Sequence, residues 1–169
     1  MDAVLALAAR EHADLVLAND PDADRLAVAV PEGPGYRQLT GDQVGALLAD
    51  YLLEVGPKDR RMVATTIVSS QLLSYLAKQA GADYRETLTG FKWIGNAAMD
   101  YEREHGGRFV MGYEEALGYS VGPLVRDKDG VSACVLFAEL ACWNRARGRT
   151  VLDHLDDIYR RVGLFVTEQ

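Results

Sequence analysis

The stretch Asp14-Leu15-Val16-Leu17-Ala18-Asn19-Asp20-Pro21-Asp22-Ala23-Asp24-Arg25-Leu26-Ala27-Val28-Ala29-Val30 sets three carboxylates at alternate positions between two apolar runs of strand length. In an extended or tightly looped backbone alternate side chains share a side, so Asp20, Asp22 and Asp24 can converge on one point. Converging anions repel one another unless a cation sits among them. Mg²⁺ suits a site in which a few carboxylates leave positions open for water and a phosphate oxygen. Two other readings compete. Aspartate, proline and small residues also build solvated turns. An EF-hand loop would place the three aspartates at its first, third and fifth positions, but its sixth holds Arg25 instead of glycine and its twelfth holds Pro31 instead of a bidentate glutamate. Strands on both sides put the carboxylates at the mouth of a sheet, where α/β proteins bind ligands.

The chain has 169 residues, of which 49% are hydrophobic, enough for a domain with a real core. Its formal charge of −7, with no basic cluster interleaved with aromatics, argues against a nucleic-acid partner. No run approaches the roughly 18 apolar residues of a membrane span, and Met1-Asp2-Ala3-Val4 lacks the basic start of a signal peptide, so the expected compartment is the cytoplasm. Cys134 and Cys142 are too far apart along one predicted helix to pair and read as buried thiols. His12, His105 and His154 lack metal-ligand spacing and read as structural or exposed.

Outward from the acidic loop, Val4, Leu7 and Ala8 predict a helix over residues 2–12. Pro31-Glu32-Gly33-Pro34-Gly35 is a concentrated breaker and reads as a domain boundary. Thr40 and Gln43 form a capping-box pattern ahead of Val44, Leu47, Leu48, Tyr51 and Leu52 on one helical face. Met62 to Val68 predicts a strand. A helix follows, capped by Ser69 or Ser70, carrying Leu72, Leu73, Leu76, Ala77 and Ala80, and closed by Gly81. Tyr84 to Leu88 and Phe109 to Met111 predict strands, with a helix from Lys92 to about Glu104 between them. Two helices close the chain, from about Gly130 to Arg147 and, capped by Thr150, from Val151 to Val162. Strands alternating with helices imply a layered α/β fold with a largely parallel sheet.

Residues just past strand ends face the ligand crevice of such a fold. Thr89-Gly90-Phe91-Lys92 offers a glycine for close backbone approach and a helix start for an anion, though a plain helix entry explains it equally. Gly112-Tyr113-Glu114-Glu115-Ala116-Leu117-Gly118-Tyr119 encloses adjacent carboxylates between glycines and tyrosines. It suits sugar hydroxyls or is a solvated acidic turn. In Arg126-Asp127-Lys128-Asp129-Gly130 the two cations can hold a phosphate while the aspartates orient them, or the run is a salt-bridged cap.

In that order these segments resemble the α-D-phosphohexomutases, the phosphoglucomutase and phosphomannomutase superfamily. The resemblance implies a three-layer α/β/α domain with a mostly parallel mixed sheet, of the third-domain type, preceded by a partial second α/β domain. Residues 1–33 would be the end of domain two with its metal loop, and 34–169 domain three and the start of the linker to domain four. It implies that Asp20, Asp22 and Asp24 hold Mg²⁺ with Arg25 beside the phosphoserine. Thr89, Gly90, Lys92, Glu114, Glu115 and Arg126 would bind substrate, and Lys128 would contact substrate and move a proton. Family members pass phosphate through a phosphoserine and a sugar bisphosphate, so a glucose 1,6-bisphosphate-type activator and a hexose phosphate substrate are implied. Ala116 departs from the serine many members carry there, and Tyr113 and Tyr119 resemble a bacterial subgroup whose loop is aromatic-Glu-Glu. No segment resembles the phosphoserine loop or the Ser-Gly-Thr phosphate clamp. Gly163 to Gln169 resembles the linker into domain four.

The expectation is therefore a mutase fragment, inactive alone, whose partners are domains one and four. Its first 30 or so residues would pack on the next domain or associate with another copy through bare strand edges. The rival readings are a non-catalytic sugar-phosphate or metal-binding module, and a phosphatase using the first aspartate as nucleophile.

Overall fold

Two sheets share one core. The computed structural model describes residues 1–165, so the end of the Gly163 to Gln169 segment lies outside the described residues. The first sheet follows α1 (Asp2–Glu11) and contains β1 (Val16–Asn19), β2 (Leu26–Glu32) and β3 (Gly35–Gln38), antiparallel and in that order. The breaker at Pro31 to Gly35 is the tip of the β2–β3 hairpin, with Glu32 opposite Gly35 and Gly33 at φ 56°. A hairpin turn and a domain linker draw on the same residues, so composition did not separate them. The passage out of this sheet runs instead through Leu39 and Thr40.

One face of the first sheet, with Val16 and Ala29, packs on Ala8 of α1, and the Tyr36 hydroxyl lies 3.0 Å from the Ala8 carbonyl and 2.7 Å from that of Ala13. Leu26, Val28 and Val30 enter the main core on the other face. The first 38 residues therefore pack against the rest of the chain.

The second sheet has the order β5-β4-β6-β7, built from β4 (Arg61–Thr66), β5 (Asp83–Thr87), β6 (Arg108–Glu114) and β7 (Gly118–Val121). β4 is parallel to both neighbours, and β7 returns antiparallel on β6. Every residue of β4 is buried, as expected of a strand covered on both faces. On one face Met62, Ala64 and Phe109 meet Phe91, Ile94, Ala98 and Tyr101 of α4 (Phe91–His105). On the other, Val63, Met111, Tyr113 and Tyr119 meet α2 (Gly41–Val55), α3 (Leu72–Ala80), α5 (Gly130–Arg145) and α6 (Val151–Val162). This is the expected three-layer α/β/α arrangement with a mixed, mostly parallel sheet.

The capping box at Thr40 and Gln43 forms, with bonds of 3.2 and 3.0 Å, and Thr150 forms a second with Asp153. The strand expected through Val68 ends at Thr66, leaving Ile67 and Val68 exposed. The cap of α3 is Gln71. Ser70 bonds the Leu72 N–H, while Ser69 is used elsewhere. Buried Arg61 donates to the carbonyls of Leu53 and Ala80, in the last turns of α2 and α3, and to that of Pro57 just past α2. The cysteines depart from expectation, since Cys142 is exposed and Cys134 half-buried. Apolar residues run nearly all the way round α5, so its periodicity does not mark an inner face. Among the described residues no helix is long and apolar enough to cross a membrane.

His154 is buried, as a structural histidine. Arg149 donates to Asn144 Oδ1 at 2.6 Å, so the Asn144 amide nitrogen faces His154 Nδ1 at 3.2 Å and the imidazole Nε2–H is left for Asp50 at 2.9 Å. Arg161 adds a 2.7 Å bond to the same Asp50 oxygen. Burial pushes the Asp50 carboxyl up, but the His154 bond and the Arg161 bond and charge outweigh it and hold the carboxyl below its usual 3.8. A depressed folded value means the stabilisation is complete above the unfolded value and disappears as pH falls through the folded one. In thermal melts from pH 6 down to 2.5, Asp50→Asn should melt below the wild type by a constant margin that narrows only below about pH 4. A margin that does not change across this range would rule out the linkage.

Candidate active site

The acidic loop joins β1 to β2. Asp20 Oδ1 accepts the Arg25 backbone N–H at 3.1 Å, and the Ala23 N–H bonds the Asp20 carbonyl at 3.0 Å. This curl forces Ala23 to φ 59°, a left-handed conformation that alanine resists. Its result is convergence: Asp20, Asp22 and Asp24 each present a carboxylate oxygen within 4.8 Å of the others. Arg25 Nε lies 3.7 Å from Asp20 and 3.8 Å from Asp24, and Lys128 Nζ lies 3.1 Å from Asp24 Oδ2. Desolvation raises the Asp20 carboxyl, but the backbone N–H groups of Arg25 and of Asp20 itself, a bond with Asp24 and the Arg25 charge hold it below the usual range.

Asp24 Oδ1 is buried and has no hydrogen-bond partner, the Arg25 Nε standing off from it at 3.8 Å. A buried carboxylate oxygen left this way is costly unless a cation completes it. The donor set is all oxygen and one member, Asp22, is exposed. Both features fit a hard divalent ion that keeps water or a phosphate among its ligands.

The loop is stitched to the second sheet. The Leu26 N–H bonds the Leu117 carbonyl at 3.1 Å, Arg25 forms a bridge with Gly118, and the first N–H of α5, from Gly130, bonds the Ala23 carbonyl at 3.1 Å. A Cβ on Gly130 would lie 2.5 Å from the Arg25 carbonyl oxygen and 2.8 Å from that of Ala23, so only glycine admits the loop here. Gly118 likewise makes room for the Lys128 stem, whose Cδ would be 2.7 Å from a Cβ, and for the Phe91 ring on which the ammonium rests at 5.5 Å.

The segment expected to read hydroxyls is the tip of the β6–β7 hairpin, and β7 escaped sequence reasoning because it is four residues long and begins at a glycine. Glu114 Oε1 accepts the Gly90 N–H at 2.6 Å, with Gly90 at φ 115° capping α4. The hairpin carboxylate and the Thr89-Gly90 turn are thus brought together. Glu115 is held by Ser69, which donates to its Oε2 at 3.1 Å, accepts its N–H at 3.2 Å and bonds Thr66 at 2.9 Å. Arg25, Thr40, Gly41, Val68, Glu115 and Leu117 line a cleft of about 750 Å³ between loop and hairpin.

Other expected site residues are placed differently. Arg126 forks onto Glu102 of α4 at 2.7 and 3.3 Å, which anchors its segment to the domain and engages its guanidinium. Asp129 caps α5 through the N–H groups of Val131 and Ser132. Lys92 is exposed, with its ammonium 5.2 Å from the Trp93 ring, and Thr89 is exposed. Tyr113 and Tyr119 frame no ligand loop. Strand alternation turns both rings into the core, where burial and then the Asp42 charge raise their pKa. Sequence reasoning missed the part played by Ser69, which reads equally as a helix cap, and missed Gly41, whose position carries no motif.

Residues 40–162 match the sequence profile described as phosphoglucomutase/phosphomannomutase, alpha/beta/alpha domain III. The chain belongs to this family. Within it, a Homo sapiens phosphopentomutase is 42% identical over 96% of the chain and 28% of its own length. Homo sapiens glucose 1,6-bisphosphate synthase is 37% identical over 97% of the chain and 28% of its own length. A crystal structure from Thermus thermophilus described as a phosphomannomutase superposes with a TM-score of 0.78 at 25% identity, covering 96% of the chain and 34% of its own. The chain thus spans about a third or less of the length of these relatives.

Proposed function

We propose that this chain supplies the metal loop and the hydroxyl-reading hairpin of a Mg²⁺-dependent sugar-phosphate mutase. That enzyme would interconvert hexose 1- and 6-phosphates through an enzyme phosphoserine and a bisphosphate intermediate, with a glucose 1,6-bisphosphate-type activator. The observation that carries this reading is the convergence of three carboxylates, one of whose oxygens, Asp24 Oδ1, is buried without a hydrogen bond, beside a lysine and facing a hairpin with two glutamates. Relatives that act on pentose and hexose phosphates support the substrate class.

Asp20, Asp22 and Asp24 would hold the metal, which when bound neutralises charge on the transferring phosphoryl group. Arg25, fixed between Asp20 and Asp24, would orient that phosphoryl group. Glu114 would exchange its bond to the Gly90 N–H for sugar hydroxyls, leaving the Thr89-Gly90 backbone and Lys92 to a ligand oxygen. Glu115, held by Ser69, would set the tip against the ring. Lys128, its stem clamped between Gly118 and Phe91, would leave Asp24 for a sugar oxygen and carry the proton that oxygen gains or loses.

Titration with Mn²⁺ followed by glucose 1-phosphate tests the site. One divalent ion should bind per chain, and a chain that binds none would overturn the reading. Supplied with glucose 1-phosphate, glucose 1,6-bisphosphate and Mg²⁺, the 169-residue chain is expected to show no turnover. Sustained turnover would contradict a phosphoserine supplied from outside these residues.

A further inference from the structure

Asn19 ends β1, opposite Leu26 of β2, and its side chain spans the whole acidic loop. Its amide nitrogen donates to the Arg25 carbonyl at 2.6 Å, and its Oδ1 accepts the Cys134 thiol of α5 at 3.4 Å. Of the two backbone donors on the far side of the loop, one leaves it and the other reaches only a side chain. Leu26 spends its N–H on Leu117, and Arg25 spends its own on the Asp20 carboxylate. The stem between the first and last carboxylate is therefore held from the β1 side by the Asn19 amide. α5 is shaped around that amide. A Cβ on Gly130 would run into the Asn19 amide nitrogen and lie 2.5 Å from the same Arg25 carbonyl, so the glycine leaves the space the amide fills.

We infer that Asn19 is a positioning residue for the cation site. It supplies no ligand atom, since its oxygen is engaged by Cys134. By pinning the Arg25 carbonyl it sets the separation of Asp20 from Asp24, and hence the focus of the three carboxylates. Arg25 is tied to the start of the loop twice, by its N–H to Asp20 and by its carbonyl to Asn19, so releasing the carbonyl leaves a single tie and lets Asp24 swing away from Asp20. Hydrogen-bonding partners of this kind change metal affinity by about 10–100-fold when removed. The inference rests on the cation reading above, and its test separates the two.

The experiment is Mn²⁺ binding to the full chain, followed by calorimetry and by electron paramagnetic resonance, for the wild type, Asn19→Ala, Asn19→Ser and Cys134→Ala. Asn19 is exposed, so neither replacement opens the core, and the serine hydroxyl is too short to reach the Arg25 carbonyl. Both Asn19 variants should keep the wild-type circular dichroism yet bind Mn²⁺ about tenfold or more weakly, with a changed resonance line shape. Cys134→Ala, which removes only the partner of Oδ1, should bind within about twofold of wild type. Wild type that binds no Mn²⁺ would sink the cation reading itself. Wild type that binds, with both Asn19 variants matching it, would leave the cation site standing and overturn the role of Asn19.

Discussion

Asp24→Asn is expected to lower divalent-cation affinity by about 100-fold while the chain stays folded. Of the three carboxylates, Asp24 alone carries a buried oxygen that takes part in no hydrogen bond. An amide there removes the charge that a divalent ion needs and can place an N–H where the ion would sit. The fold should survive because the ion pair with Lys128 is about a third exposed on the aspartate side, and exposed pairs contribute little to stability. Asp22→Asn, at the exposed member of the trio, should lose less. Calorimetric titration with Mn²⁺ measures both, and Asp24→Asn binding as tightly as Asp22→Asn would remove the special place given to Asp24.

Gly41→Ala is expected to destabilise the chain by about 2–3 kcal/mol, although alanine is the better helix former. Gly41 opens α2 directly beneath the hairpin tip. A Cβ there would overlap the Glu115 carbonyl oxygen and lie 2.7 Å from its carbon, and these are backbone atoms that cannot rotate aside. The tip must lift, pulling Glu115 from Ser69 and Glu114 from the Gly90 N–H. Sterics should outweigh the propensity gain of at most about 1 kcal/mol. Gly35→Ala, where a Cβ meets nothing within 4 Å, is the control. Urea denaturation of the two variants should separate them clearly, and equal midpoints would mean the tip yields at no cost.

Much of this was legible in the chain itself, for identifiable reasons. The acidic loop announced its convergence because alternate side chains share a side whatever the surrounding fold, and the helices of the second sheet followed from caps and 3.6-residue spacing. The hairpin at Gly33 did not, because turn chemistry is the same inside a sheet as between domains. The candidate loops could be placed from the chain, but not the partners their side chains take in the fold. Arg126 reads as a phosphate ligand, and nothing near it in the chain shows that Glu102, 24 positions away, pairs with it. Tyr113 and Tyr119 read as part of a ligand loop until β6 and β7 extend through them and turn them inward. Gly41, Gly118 and Gly130 show their purpose only against what lies opposite. Each of these facts is a long-range contact, and no local pattern encodes it.

The bridge from Arg25 to Gly118, together with the Leu26–Leu117 and Gly130–Ala23 bonds, has a mechanical meaning. The acidic loop and the β6–β7 tip are riveted into a single anvil, so any ligand that touches both meets one fixed surface whose two parts cannot drift apart.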